Sequence, residues 1–244
     1  MNSDTPFPII DTLSPAYNEE GSIGFVLDDI PKPPVRRMVV ADNNSTDRTA
    51  SLAEQHGAVV VDAPIPGYGA ACLAGLDWIR SHDPPEILVF LDADYSDHPD
   101  ELEHVIAPIL RGEADMVIGS RTLGQRERGA LLPQARMGNL VACTLMRWLY
   151  GHKYTDLGPF RAIRWQALQS LNMQDPDFGW TAEMQVKAIK AGLRITEVPV
   201  SYRKRIGVSK ITGTIKGTIL AGYKILWTVF RHSLDRSSPS EETQ

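Results

Sequence analysis

Residues 87–94 read Ile-Leu-Val-Phe-Leu-Asp-Ala-Asp, an apolar run that ends in two aspartates separated by one residue. The apolar part predicts a buried strand of an α/β sheet. Side chains alternate along an extended chain, so Asp92 and Asp94 should point to the same side at the carboxyl end of that strand, where open α/β sheets bind ligands. The stretch therefore predicts a divalent cation held against a phosphate. An aspartate-rich turn with a purely structural role is the competing interpretation.

Composition narrows the class of partner. The chain of 244 residues has 25 Lys and Arg against 30 Asp and Glu, a formal net charge of −5. There is no global basic field for nucleic acid, so an anionic partner must be met by local cations. Two cysteines and no recognisable signal peptide lead us to expect a reducing, cytoplasmic setting. The six histidines lack the spacing of a structural zinc site.

The order of predicted elements indicates one α/β domain over residues 1–210. Strands are predicted over 8–13, 35–41, 58–62, 87–91 and 115–119, and helices over 19–30, 46–56, 70–80 and 99–110. This alternation predicts a mostly parallel sheet flanked by helices. The second half is less regular, with helices predicted over 133–150, 164–171 and 181–191 and strands over 160–163 and 195–200.

Residues 211–232 are predicted to form a C-terminal amphipathic helix. One stripe of that helix would carry Ile211, Ile215, Ile219, Leu226 and Phe230. Lys216, Lys224 and several glycines argue against a membrane-spanning helix. Two interpretations remain, a helix packed on the core or on a second copy of the chain in a homodimer, and an interfacial helix on a membrane. The polar residues 233–244 are expected to be disordered.

Polar or glycine-bearing loops follow the first three predicted strands. Residues 14–20 and 42–47 end the first two strands at the edge that carries the aspartate pair, so one nucleotide could touch all of them. Asp42 suits hydrogen bonds from a base or ribose, and Ser45 or Thr46 is expected to cap the next helix. Residues 66–71, Pro-Gly-Tyr-Gly-Ala-Ala, form either a phosphate-binding helix start or an ordinary turn.

Five motifs, in this order, resemble those of family-two glycosyltransferases with the GT-A fold. They are residues 15–19 (Pro-Ala-Tyr-Asn-Glu), 42–47 (Asp-Asn-Asn-Ser-Thr-Asp), 92–94, 119–121 (Gly-Ser-Arg) and 205–210 (Arg-Ile-Gly-Val-Ser-Lys). Within the family, the sequence most resembles dolichyl- and polyprenyl-phosphate sugar synthases. The resemblance implies an inverting enzyme that moves a hexosyl unit from a UDP- or GDP-sugar to a polyprenyl phosphate at the cytoplasmic membrane face, with Mg²⁺ or Mn²⁺.

The same resemblance implies roles for individual residues. The donor would contact Pro15, Ala16, Tyr17, Glu19, Asp42, Gly69, Asp92, Ala93, Arg205 and Lys210. Asp92 and Asp94 would hold the metal, which would stabilise the departing diphosphate, and Asp94 would be a catalytic residue. Arg121 and Arg136 would grip the acceptor phosphate, Arg121 also being catalytic, although surface salt bridges are the alternative for both.

Glu183 occupies a position where family members keep an acid near the acceptor. It could serve as general base for a hydroxyl acceptor, whereas a phosphate acceptor is already an anionic nucleophile. With a phosphate acceptor, Glu183 would only orient or support other side chains. Catalytic and structural roles for Glu183 both stay open.

Three positions depart from the pattern of the lipid-phosphate enzymes. Ser96 stands where Gln is common, Tyr68 where a basic residue is common, and Gly158-Pro159 where a small residue precedes Gly. They leave two rival functions open, a soluble transferase with a hydroxyl acceptor and Glu183 as base, and a non-catalytic nucleotide-sugar-binding subunit. A nucleotidyltransferase is disfavoured, because the first strand lacks a glycine-rich triphosphate loop.

Overall fold

The computed structural model describes residues 7–207 and 215–234. The strands are β1 (Ile10–Ala16), β2 (Val35–Asp42), β3 (Val59–Asp62), β4 (Ile87–Phe90), β5 (Met116–Ser120), β6 (Arg161–Arg164) and β7 (Ile195–Pro199). The helices are α1 (Ile23–Asp29), α2 (Thr49–Gln55), α3 (Tyr68–Ser81), α4 (Leu102–Leu110), α5 (Pro133–Tyr150), α6 (Trp165–Leu171), α7 (Trp180–Lys190) and α8 (Ile215–Leu234).

The strands form one mostly parallel sheet in the order β3-β2-β1-β4-β6-β5-β7. Only β6 runs against its neighbours β4 and β5 within the described chain. The predicted α/β sheet is therefore confirmed, with one antiparallel strand inserted on the side of the second half. Because β1, β2 and β4 are parallel, their carboxyl ends share one edge.

Strand β4 is buried on both faces, as its unbroken apolar sequence predicts. Leu88 and Phe90 pack into a core with α3 and α5 to α7, while Ile87 and Val89 face a second core with α1 and α4. All four side chains are at most 1% exposed. Because β4 is anchored on both faces, the position of its carboxyl end is fixed. The position of the aspartates that follow is fixed with it.

Strand β1 is longer than predicted, because it continues past Leu13 through Ser14 and Pro15 to Ala16. Pairing with β4 stops at Leu13, whereas pairing with β2 runs on to Ala16. The end of β1 thus has a neighbour on one side only, which is where a sheet tolerates proline.

The C-terminal helix α8 packs on α5 and α7. Val229 is fully buried, and the Tyr150 hydroxyl donates a hydrogen bond to its carbonyl oxygen (2.6 Å). Large apolar side chains line the outer side of the helix, namely Leu220, Tyr223, Trp227, Phe230 and Leu234. Within the described residues, no helix has the length and hydropathy to cross a membrane. The predicted boundary at residue 210 and residues 235–244 of the predicted tail lie outside the described residues, whereas Ser233 and Leu234 are helical.

Candidate active site

The turn after β4 holds three carboxylates, of which Asp94 and Asp97 are buried and Asp92 is partly buried. Asp94 is 4% exposed, and its Oδ1 accepts hydrogen bonds from the Ser96 N–H (2.9 Å) and hydroxyl (2.5 Å). Ser96 therefore orients Asp94. The Tyr68 hydroxyl donates to Asp92 Oδ1 (3.1 Å). Burial and the negative charge of Asp94 raise the pKa of Asp92 to about 6.

The third carboxylate, Asp97, was not predicted from the sequence. It is 1% exposed, and its Oδ2 accepts the N–H of Asp92 (3.4 Å), while Oδ1 has no partner among the described residues. Burial and the charges of Asp92 and Asp94 raise its pKa well above the usual range. Packed acids of this kind repel one another, which favours a cation beside them, and Asp92 and Asp94 carry the oxygen ligands that a divalent cation prefers. The spacing Asp-x-Asp-x-x-Asp is the feature of the sequence that could have identified Asp97.

A basic segment, residues 202–206, lies over this turn. The N–H groups of Arg203 and Ile206 donate to the carbonyl oxygens of Ser96 and Asp94 (3.0 Å each). Arg205 makes an ion pair with Asp94. The predicted donor residue Arg205 therefore meets the aspartates, whereas Lys210, predicted for the same motif, lies outside the described residues.

The loops after β1 and β2 are fastened to each other. The Asn18 N–H donates to the Ser45 hydroxyl (2.9 Å), and the Thr46 N–H donates to Asn18 Oδ1 (2.8 Å). Ser45 or Thr46 was predicted to cap α2, but neither residue does so. Both are engaged with Asn18 instead. Asp47 takes that place by accepting the Thr49 N–H (2.9 Å).

A first cavity of about 510 Å³ opens beside these loops. Its lining includes the predicted donor and metal residues Pro15, Ala16, Tyr17, Glu19, Asp92, Ala93, Asp94 and Arg205, together with Asn43, Asn44, Gly67, Tyr68 and Phe178. Asp42 is not among the lining residues. It lies at the base of the loop, where Oδ2 accepts the Ser45 N–H (3.2 Å) and the buried Oδ1 has no partner in the described chain.

Gly69 is also absent from the lining, and the structure gives another reason for this glycine. A Cβ at Gly69 would overlap the carbonyl oxygen of Asp175, and one at Gly67 would overlap that of Pro176. The N–H of Ala70 at the start of α3 donates to Pro176 (2.8 Å). The glycines therefore admit the 174–178 segment, and that segment takes the N–H that was predicted to meet a phosphate.

Glu183 holds the same 174–178 segment. Its carboxylate is 2% exposed, accepts the N–H groups of Gln174 (3.1 Å) and Asp175 (2.8 Å), and pairs with Lys187 (2.7 Å). It lines neither the first cavity nor the second, described next. This environment favours the structural role over that of a general base.

A second cavity of about 490 Å³ adjoins the first. The two share the wall formed by Tyr68, Asp92, Phe178 and Arg205. Beyond that wall the second cavity is lined by the cations Arg121 and Lys204 and by apolar residues that include Leu131, Leu132, Ala221 and Ile225.

Arg121 is fixed in this second cavity by Asp156, which the sequence reasoning missed. Asp156 is fully buried and accepts from Arg121 Nε (2.8 Å), Nη2 (2.7 Å) and the backbone N–H (2.8 Å). The guanidinium carbon also lies 5.1 Å from the ring centre of Tyr202. Arg136 does not line this cavity with Arg121. It lines a third cavity, of about 590 Å³, which shares Leu131 with the second.

Two cavities that meet over buried carboxylates suit a transferase, which must hold a donor and an acceptor side by side. Comparison with known proteins identifies the transferred group. The chain belongs to glycosyltransferase family 2, since the family model described as Glycosyl transferase family 2 matches residues 12–171. The predicted family, GT-A fold and enzyme class are thereby confirmed.

Individual relatives agree with this assignment. An uncharacterized glycosyltransferase of Mycobacterium tuberculosis is 38% identical over 87% of this chain and 94% of its own length. A dolichyl-phosphate hexose transferase of Haloferax volcanii is 32% identical over 80% and 83%. Glucosyl-3-phosphoglycerate synthase of M. tuberculosis, solved with Mn²⁺, UDP-glucose and phosphoglyceric acid, superposes with a TM-score of 0.75 over 93% of this chain and 80% of its own. Its 24% identity supports likeness of fold.

Proposed function

We propose that the protein transfers a hexosyl unit from a nucleoside diphosphate sugar to a polyprenyl phosphate, with inversion, at the cytoplasmic face of a membrane. The observation that carries this proposal is the shared wall between a nucleotide-sized cavity and a second cavity that combines two cations with apolar residues. A donor in one and an acceptor in the other would meet at Asp92 and Arg205. Attack from the second cavity, opposite the departing diphosphate, inverts the sugar centre.

The first cavity would bind the donor. Its wall of Pro15, Ala16 and Tyr17 offers a surface for the nucleoside, and the unpartnered Oδ1 of Asp42 below it can accept a hydrogen bond. Asp92 and Asp94 would hold Mg²⁺ or Mn²⁺, which neutralises the charge that develops on the departing diphosphate. Arg205 adds a positive charge at the same place. UDP-glucose and Mn²⁺ in the superposed synthase support this assignment.

The second cavity would bind the acceptor. Arg121 is held by two charge-assisted hydrogen bonds to Asp156, so its guanidinium is pre-oriented for a phosphate. Leu131, Ala221 and Ile225 offer an apolar surface to a prenyl chain. A phosphate monoester needs no general base, which agrees with the position of Glu183 outside the cavity. The dolichyl-phosphate hexose transferase among the relatives supports this acceptor class.

A soluble phosphate-bearing acceptor is the second candidate. The superposed synthase was solved with phosphoglyceric acid, and Arg121 would suit that ligand equally well. The hydroxyl-acceptor alternative with Glu183 as base has less support, since the carboxylate is engaged by two backbone N–H groups and by Lys187.

The test is incubation of the purified protein with Mn²⁺ or Mg²⁺, a panel of UDP- and GDP-sugars and a short polyprenyl phosphate, followed by mass spectrometry. We expect a glycosylated lipid phosphate that disappears in Asp94→Asn. A parallel reaction with phosphoglycerate separates the two candidates, because product there alone would replace the lipid acceptor. Metal-dependent donor binding without any product would instead support a non-catalytic subunit.

A further inference from the structure

The third cavity concentrates positive charge. Among the described residues, its lining includes Arg126, Arg136, Arg147 and Lys153 and contains no carboxylate. Within the described residues, none of these four side chains makes an ion pair, whereas exposed cations elsewhere, such as Arg111 and Arg194, are paired with acids. In a chain of net charge −5, unpaired cations gathered at one cavity indicate an anionic ligand that is not part of the protein.

The same region exposes an apolar stripe on α5. Met137 and Leu140 are each 61% exposed, and Trp148 is 81% exposed, with Val141 between them. The helical repeat places these residues on one face. Arg136 and Arg147 are about three turns apart, so they lie together along one flank of the stripe. A helix with apolar residues on its outer face and cations beside them has the composition of an interfacial membrane helix.

We propose that the third cavity and the α5 stripe form a docking site for an anionic lipid bilayer. The headgroup phosphate would lie among Arg136, Arg147 and Lys153, and Met137, Leu140 and Trp148 would enter the boundary between headgroups and acyl chains. Charge complementarity favours a lipid phosphate, because every charged residue among the described lining of the cavity is a cation. The apolar stripe favours a bilayer over a free phosphate, which would leave those side chains in water.

This site is separate from the proposed acceptor site. It is also separate from the C-terminal helix α8, which the sequence indicated as a possible membrane contact. It adjoins the second cavity at Leu131, which lines both. A bilayer seated there would lie beside the opening into which a lipid-borne acceptor must enter. The inference goes beyond sugar transfer, and its test needs neither donor nor acceptor.

The test is cosedimentation of the full chain with vesicles of phosphatidylcholine alone and of phosphatidylcholine with phosphatidylglycerol. We expect binding to the second kind only, weakening as salt rises. The double variant Arg147→Gln/Lys153→Gln should lose about 25-fold in partitioning, since each cation near an anionic membrane contributes about one kcal/mol. Trp148→Ser should also weaken binding. The double variant Arg48→Gln/Arg80→Gln, which removes the same charge outside the three cavities, should bind like the parent protein.

Four results would overturn the proposal. They are failure of the parent protein to sediment with the anionic vesicles, equal binding by parent and Arg147→Gln/Lys153→Gln, and equal losses in the two double variants. The fourth is vesicle binding that sodium chloride does not weaken, because a site held by headgroup charge must weaken as ionic strength rises. If the parent protein dimerises but does not bind vesicles, and Trp148→Ser abolishes the dimer, the stripe belongs to an interface with a second copy of the chain. Thermal unfolding of each variant checks that it is folded.

Discussion

The first cavity is walled largely by strand ends and the loops that follow them, whereas the second is walled mainly by a loop and two helices. Pro15, Asn43 and Asp94 follow or end neighbouring strands of one buried sheet. Leu131 and Leu132 precede α5, and Ala221 and Ile225 belong to α8. A site at strand ends takes its geometry from sheet register, while a site between helices depends on how those helices pack. The difference teaches that, in the proposed assignment, the donor site takes its geometry from the sheet and the acceptor site takes its geometry from helix packing.

Replacing Asp94 should have the largest effect, because it removes a charge from the first cavity and the partner of Arg205, which lines both cavities. We expect Asp94→Asn to lower turnover by about a thousandfold, because the cation proposed to stabilise the leaving diphosphate would lose a charged ligand. Initial rates with saturating donor and acceptor measure this loss. Asp100→Asn, an exposed acid outside the three cavities, is the matched control. Turnover near the parent value in Asp94→Asn would remove the aspartate pair from the mechanism.

Variants of Arg121 and Arg136 test which of the two arginines contacts the acceptor phosphate. Arg121→Lys cannot keep the two-pronged contact with Asp156, so kcat/KM for a soluble phosphate acceptor should fall about 10- to 100-fold. The KM for donor should stay unchanged. Arg136→Lys, in the third cavity, should leave both constants near those of the parent protein. Equal losses in the two variants would show that both arginines grip one acceptor phosphate, as the sequence predicted.

Replacing Glu183 tests whether its buried carboxylate acts as a general base or holds the wall of the first cavity in place. Glu183→Gln weakens acceptance of two backbone N–H groups and loses the ion pair with Lys187, so unfolding should become easier by about 1–3 kcal/mol. Thermal denaturation measures this shift, and activity below the transition should persist. An unchanged melting temperature with abolished turnover would instead identify a general base.

Tyr68 should give the smallest effect, since it contributes one hydrogen bond to a wall that other groups also hold. Tyr68→Phe removes the hydroxyl that donates to Asp92, and about 1 kcal/mol predicts a loss of roughly fivefold in kcat/KM. Leu73→Ile, on the same helix and outside the three cavities, is a volume-matched control. A loss as large as that of Asp94→Asn would show that the hydroxyl contacts substrate directly.

The mostly parallel sheet and much of the lining of the first cavity follow from local rules. An apolar run, a parallel neighbour and a polar loop after the strand were enough to bring Pro15, Tyr17, Asp92 and Asp94 together. Asp156 could not be found in this way. Its role depends on a contact with Arg121 across 35 residues, and long-range pairing of that kind leaves no periodic trace in the sequence.

Two other site predictions meet a tertiary context that the sequence does not describe, because one residue type serves several purposes. Gly69 was expected near a phosphate because glycine permits close approach of a ligand, and in the structure the group that approaches is the Asp175 carbonyl. Arg136 was paired with Arg121 by resemblance to the lipid-phosphate enzymes, and helix α5 carries it to another cavity. Tertiary packing decides such cases, and sequence spacing does not describe it.

The four residues shared by the two cavities would make the affinity for a donor in the first depend on an acceptor in the second, and the reverse. A donor that draws Arg205 away from Asp94 also changes the surface that an acceptor meets, because Arg205 lines both spaces. Linkage then requires reciprocity, so an acceptor must alter donor affinity by the same factor. In the proposed assignment of the cavities, coupling between donor and acceptor binding would depend on one arginine side chain, and it can be measured with unreactive donor analogues before any sugar is transferred.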